Sequence, residues 1–191
     1  MAMTESQKKK INELISILPE TDKVIYGEIA KYAAELGYSP AKVKNMYDPV
    51  IFAKTIKKYG YRRLCRITPP NPSVEGEQKT TFVMSFYAAS NYSEIFHEAV
   101  KNECESRKEI YEVSDFSEVY SRESEKVRCG KRRESCDECR KCKGYYYTYP
   151  SGKTIGCCHT YLIELPPINA EHVAEIKGLL KIQHECWTHH L

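Results

Sequence analysis

The chain opens on an amphipathic pattern. Between residues 5 and 18, Ile11, Leu14, Ile15 and Leu18 recur at helical spacing, and Pro19 ends the run. A second helix is predicted over 23–36, with Ile25, Ile29, Tyr32, Ala33 and Leu36 on one side and Gly37 just past its end. Ser39-Pro40 reads as a helix start, a cap oxygen followed by proline at the first helical position. Asp48-Pro49 repeats that signal and predicts a helix to about Lys58, closed by Gly60. Residues 1–60 are therefore expected to form a helical unit.

The texture changes at Tyr61. From there to Thr68 basic and apolar residues alternate, as in a half-buried strand. Residues 69–79 hold three of the nine prolines and predict a loop. Thr80 to Ala88 is a second predicted strand, with Phe82, Met84 and Phe86 on alternate positions. Asn91 is expected to cap a helix reaching Ser106, helped by Glu94. Tyr145–Tyr149 and Thr154–Leu165 predict a hairpin around Pro150-Ser151-Gly152-Lys153. An even-numbered turn there pairs Tyr149 with Thr154, which sets Tyr146 opposite Cys157 and Tyr145 opposite Cys158. Asn169 caps a last helix with Val173, Ile176, Leu179 and Leu180 facing inward. Strands and helices fall in separate runs without strict alternation. The expected class is α+β, a mainly antiparallel sheet with flanking helices. The expected division is 1–60 and 61–191, the second unit carrying a Cys-rich loop over 129–158.

Composition narrows the function classes. The chain has 191 residues, 41% hydrophobic and 29% charged, which excludes long disorder and collagen-like structure. No run approaches the ~18 apolar residues of a membrane span, so no membrane partner is expected. The opening MAMTESQKKK has no apolar run behind a charged start, which predicts no export signal and a cytoplasmic setting. The net charge of +3 is too small to argue for nucleic acid from the global balance.

The nine cysteines carry the chemical signal. In a reducing compartment such residues are metal ligands or reactive thiols more often than disulfides. Cys65, Cys104 and Cys186 stand alone and are expected as small buried hydrophobes. Cys129, Cys136, Cys139, Cys142, Cys157 and Cys158 crowd together. In Cys136-Asp137-Glu138-Cys139-Arg140-Lys141-Cys142, two residues between cysteines let a tight turn aim successive thiolates at one ion. Zinc takes four such ligands in a tetrahedron. Cys129, beside Gly130, or one of the two hairpin cysteines is the candidate fourth. Adjacent strand residues point to opposite faces, so only one of Cys157 and Cys158 joins a given site without a bulge.

Zn²⁺ is the expected cofactor. An iron–sulfur cluster is the alternative, since Cys-x2-Cys-x2-Cys matches part of a ferredoxin run, although no proline follows. A reactive-thiol site ranks with it. Lys131, Arg132, Arg133, Arg140 and Lys141 would offset the thiolate charge and favour deprotonation. The same basic residues, followed by Tyr145, Tyr146 and Tyr147, offer phosphate contacts and stacking rings for nucleic acid. Charge compensation of the thiolates is preferred over that reading. Residues 28–44, EIAKYAAELGYSPAKVK, match a helix-turn-helix in Ala33, Gly37 and Val43, with a helix from Pro40 presenting Lys42, Lys44 and Asn45. Two packed helices are preferred there over DNA reading. His184, Cys186, His189 and His190 near the only Trp could add ligands, but a helix end docked by Trp187 is the expected outcome.

The functional expectation is a metal-binding, cytoplasmic protein of binding or regulatory type with no assignable reaction; the partner is unknown, a protein and a nucleic acid being the two options. A redox or iron–sulfur enzyme using a cluster cysteine, and a DNA-binding regulator, are the rivals.

Overall fold

The computed structural model describes residues 3–43, 49–57, 60–71, 79–85, 93–106, 108, 145–152, 154–157 and 162–188, with 145, 146, 154–157 and 162 described for their backbone. Among them are α1 (Glu5–Ser16), α2 (Glu20–Glu35), β1 (Ser39–Lys42), β2 (Val50–Ile56), β3 (Gly60–Thr68), β4 (Thr81–Ser85), α3 (Glu94–Ser106), β5 (Tyr145–Thr148), β6 (Thr154–Cys157), β7 (Leu162–Glu164) and α4 (Val173–Thr188). The strands form a five-stranded sheet in the order β1-β2-β3-β4-β7 and a separate β5-β6 hairpin, every pair antiparallel. The protein is α+β, as the pattern predicts.

The first helix starts on a capping box. The Gln7 N–H donates to Thr4 Oγ1 at 3.2 Å, and the Thr4 N–H to Gln7 Oε1 at 2.9 Å. This satisfies two groups that a helix start leaves without partners. The predicted apolar stripe is buried at Ile11, Leu14 and Leu18. In α2 the buried stripe is Tyr26, Ile29, Ala30, Ala33 and Ala34. Ile25, Tyr32 and Leu36, expected on the inner face, flank the core half-buried. Small residues let the two helices approach closely: a Cβ on Gly27 would sit 3.2 Å from Ile15 Cδ1.

Gly37 ends α2 with φ of 85°. The Tyr38 N–H reaches Ala33 O at 3.2 Å and the Gly37 N–H reaches Ala34 O at 2.9 Å. That double bond pattern is a Schellman cap, and glycine adopts its left-handed backbone without steric cost. The cap turns Tyr38 into the core, where it is fully buried.

Two predicted helices are strands. Ser39-Pro40 opens β1, in which Pro40 pairs with Phe52. A residue before proline is biased to extended backbone, so the signal read as a helix start serves a strand equally well. β1 is an edge strand, where proline's missing donor costs no ladder bond. Asp48-Pro49 precedes β2 instead of a helix. Val50, Ile51, Phe52 and Ala53 are all buried, so the strand lacks the two-residue alternation that would mark it. The first sixty residues thus hold two strands besides two helices. β2 pairs with β3 across residue 60, where Gly60 at φ 69° opens the second strand instead of closing a helix.

The register of β2 on β3 shifts between Phe52, opposite Cys65, and Ala53, opposite Arg63. Leu64 is the extra residue, and both Leu64 and Cys65 are fully buried. This bulge keeps Arg63 and Arg66 on one face, away from Cys65. A single apolar cluster joins α1, α2, α3 and α4 to Val50, Phe52, Cys65, Ile67, Phe82, Met84 and Ile163 of the sheet. The last helix behaves as predicted. Asn169 accepts from the N–H groups of Glu171 and His172 and leads through a short 3₁₀ turn into α4, whose Val173, Ile176, Leu179 and Leu180 are buried. At α3, Ser93 acts as the cap, accepting from the Phe96 N–H at 3.3 Å. Asn91 lies outside the described residues.

Candidate functional site

The β5–β6 hairpin carries the described part of the cysteine-rich region. Its turn closes through the Gly152 N–H on Tyr149 O at 2.8 Å, with Gly152 at φ 85°. The pairing is Thr148 with Thr154 and Tyr145 with Cys157. This corrects the expected register by one residue: the connection is five residues long, because Tyr149 leaves the ladder and turns inward. A one-residue shift reassigns every cross-strand pair. Tyr145 therefore faces Cys157, not Cys158. The expected single strand Thr154–Leu165 is also divided. β6 ends at Cys157, and β7 joins β4 of the larger sheet.

Two tyrosines fasten the hairpin to α3. The Tyr149 hydroxyl donates to the Cys104 carbonyl at 2.9 Å in a buried bond. The Tyr147 hydroxyl donates to the Glu105 carboxylate. Their rings meet edge to face at 5.0 Å, a favourable aromatic geometry. Tyr147, one of the three rings considered for base stacking, is thus half-buried and engaged with α3.

Of the cysteines proposed as ligands, Cys157 sits at the end of β6. Cys129, Cys136, Cys139, Cys142 and Cys158 lie outside the described residues, as do Lys131, Arg132, Arg133, Arg140 and Lys141. Among the described residues, no group of three or more His, Cys, Asp or Glu is placed to hold a metal ion. Cys65 and Cys104 are buried and Cys186 is half-buried. Burial pushes the Cys65 thiol far above the ordinary range, which makes it inert. These two lone cysteines match their expected role as small hydrophobes.

The helix-turn-helix geometry is absent, because the segment after Gly37 is an edge strand. Lys42, expected on a recognition helix, lies on β1 with its ammonium 3.5 Å from Glu13. Lys44 and Asn45 lie outside the described residues. No described helix is long and apolar enough to cross a membrane.

A second constellation escaped the sequence pattern. Lys54 of β2, Tyr38 and His184 of α4 converge at the corner where α2 ends. The Lys54 ammonium donates to Leu36 O at 3.1 Å and lies 3.1 Å from His184 Nδ1. It also stands 4.2 Å from the centroid of the Tyr38 ring, within cation–π range. The Tyr38 hydroxyl is 3.4 Å from the same imidazole nitrogen. Trp187 is 3% exposed, its ring 6.4 Å from that of Tyr38. Burial lowers the lysine's affinity for its proton. Burial, then the Cys65 thiol, pushes the Tyr38 phenol well above its usual range. Leu36 caps α2, so its carbonyl belongs to the negative end of the helix and gains from a cation. The signal for this group was faint, since Lys54 and His184 are 130 positions apart.

No protein-family model, curated protein or solved structure matches the chain.

Proposed function

We propose that this is a cytoplasmic metal-binding protein of binding or regulatory type, in which Cys136, Cys139 and Cys142 share one zinc ion. Cys129 or a hairpin cysteine is the fourth ligand. The observation that carries this reading is the cross-strand pair Tyr145–Cys157. Cys142 precedes Tyr145 by three residues, and three residues of chain span at most about 11 Å. Chain connectivity therefore favours Cys157 or Cys158 as partner of the tandem cysteines. The donor set fits zinc, since four thiolates make a closed tetrahedral site with no position left open for substrate. The basic residues from Lys131 to Lys141 offset its charge. The hairpin is bonded to α3, so a metal there would tie the 129–142 segment to the apolar body. Binding only to the folded state would add directly to stability.

The test is elemental analysis of the full chain purified without chelator. About one zinc per chain is expected, with most of it lost in Cys139→Ser. Chelation should lower the melting temperature of the native protein, and that sensitivity should vanish in Cys139→Ser. Unchanged metal content in the variant would sink the assignment. Stoichiometric iron with a brown colour would replace zinc by an iron–sulfur cluster. A metal-free chain with one fast-reacting thiol would make the region a redox site.

A further inference from the structure

The corner built by Lys54, Tyr38 and His184 supports an inference independent of the cysteines. An ammonium can only donate hydrogen bonds. With Lys54 Nζ 3.1 Å from His184 Nδ1, that ring nitrogen must accept, so the proton of the neutral ring sits on Nε2. The Tyr38 hydroxyl lies 3.4 Å from the same nitrogen. A second ring proton on Nδ1 would leave nothing there to accept and would set an imidazolium against an ammonium. The site is partly buried, where like charges at contact distance repel far more strongly than in water.

We propose that His184 is a proton-operated latch. The neutral ring holds the last two turns of α4 against β2 and the α2–β1 corner, and protonation releases them. Charged and titratable groups stand around it on several elements. β2 contributes the Lys54 cation, the α2–β1 corner the neutral Tyr38 phenol, and β3 the neutral Cys65 thiol beside that phenol. On α4 itself, Glu185 stands 3.9 Å from Lys181. Glu185 and Glu35 act on Tyr32, whose phenol is raised first by burial and then by these two carboxylates. Lys54 is a cation in bonding contact with the imidazole. Release of the ring would leave Lys54 on the Leu36 carbonyl, so one proton would undo the link that this ammonium makes between α4 and the end of α2.

Trp187, the only tryptophan, lies three residues beyond His184 and is buried in the docked form. Its emission in the full-length protein reports the latch directly. From pH 8 to 5, the span over which histidine charges, the emission should shift to the red and become open to acrylamide quenching. Far-UV circular dichroism should hold steady over the same range. His184→Gln, a neutral acceptor at every pH, should abolish the transition. Lys54→Met should also abolish it, because an imidazolium then meets no cation. A flat native titration would overturn the proposal. So would a transition that persists in Lys54→Met, which decides the matter alone if His184→Gln does not fold.

Discussion

In two helices of this protein a side chain delivered from a strand or its turn covers a backbone carbonyl, and the two contacts are built differently. At α2 the left-handed Gly37 closes the backbone and the Lys54 ammonium covers the Leu36 carbonyl. At α3 the neutral Tyr149 hydroxyl covers the Cys104 carbonyl, and the residue supplying it is 1% exposed. A cation complements the negative end of a helix, and a charged hydrogen bond is stronger than a neutral one. A phenol brings a large apolar ring that fills space. The first contact is held mainly by charge, and the second mainly by burial. Charge can be shared, as Lys54 is shared with His184, and so can be switched. Burial cannot.

The largest effect expected from breaking this comparison is at Tyr149. Tyr149→Ala should cost about 3–5 kcal/mol, the usual penalty for emptying a buried aromatic site, read as a lower urea midpoint. Tyr149→Phe keeps the ring and should cost about 1–2 kcal/mol, because the hydrogen bond to Cys104 is lost. If the two variants were equally damaging, the hydroxyl and not the ring would dominate. At the other end, Gly37→Ala should cost about 1–2 kcal/mol, since a side chain at positive φ is strained. Lys54→Met, which keeps an apolar stem, should cost less, about 0.3–1 kcal/mol at pH 7. A loss at Lys54 equal to that of Tyr149→Ala would erase the distinction between charge and burial.

The subtlest effect is alkaline. Burial, with Asp22 second, raises the Tyr26 phenol, and Tyr38 is raised as described. A folded-state value above the unfolded one means that stability is complete below about pH 10 and is lost as pH rises beyond it. Unfolded phenols release protons there that the folded ones keep. Absorbance at 295 nm should show Tyr26 and Tyr38 ionising only together with unfolding. Full ionisation of the native protein would contradict their burial.

How far the sequence reaches differs from element to element. Gly37 and Asn169 were legible because each acts within its own helix end, on bonds that span a few residues. The Thr4–Gln7 capping box was written just as locally, although the apolar stripe alone did not reveal it. β1 and β2 are not legible as strands for two physical reasons. The pre-proline bias suits helix starts and strands alike, and a strand buried on both faces has no period to detect. The hairpin was found, but its register turned on Tyr149 preferring the core over the ladder, a tertiary decision no turn signal contains. Of the candidate chemistry, the tandem cysteines were legible as spacing. The Lys54–Tyr38–His184 corner was not, because three ordinary residues acquire meaning only when distant segments meet.

One pairing has a consequence for how the chain tolerates change. Ser85 closes β4, Leu162 opens β7, and the two are cross-strand partners. Everything from residue 86 to 161, α3 and the hairpin included, is thus an excursion that departs from and returns to one clasp on the sheet. Its ends are fixed side by side on the sheet. The entropic cost of added length grows only as the logarithm of loop size, about 0.6 kcal/mol per doubling. The sheet is in effect a frame with a port between β4 and β7. Insertions between α3 and β5 would change what is carried there while leaving the frame's register intact, which makes that stretch the natural place for this protein to diversify.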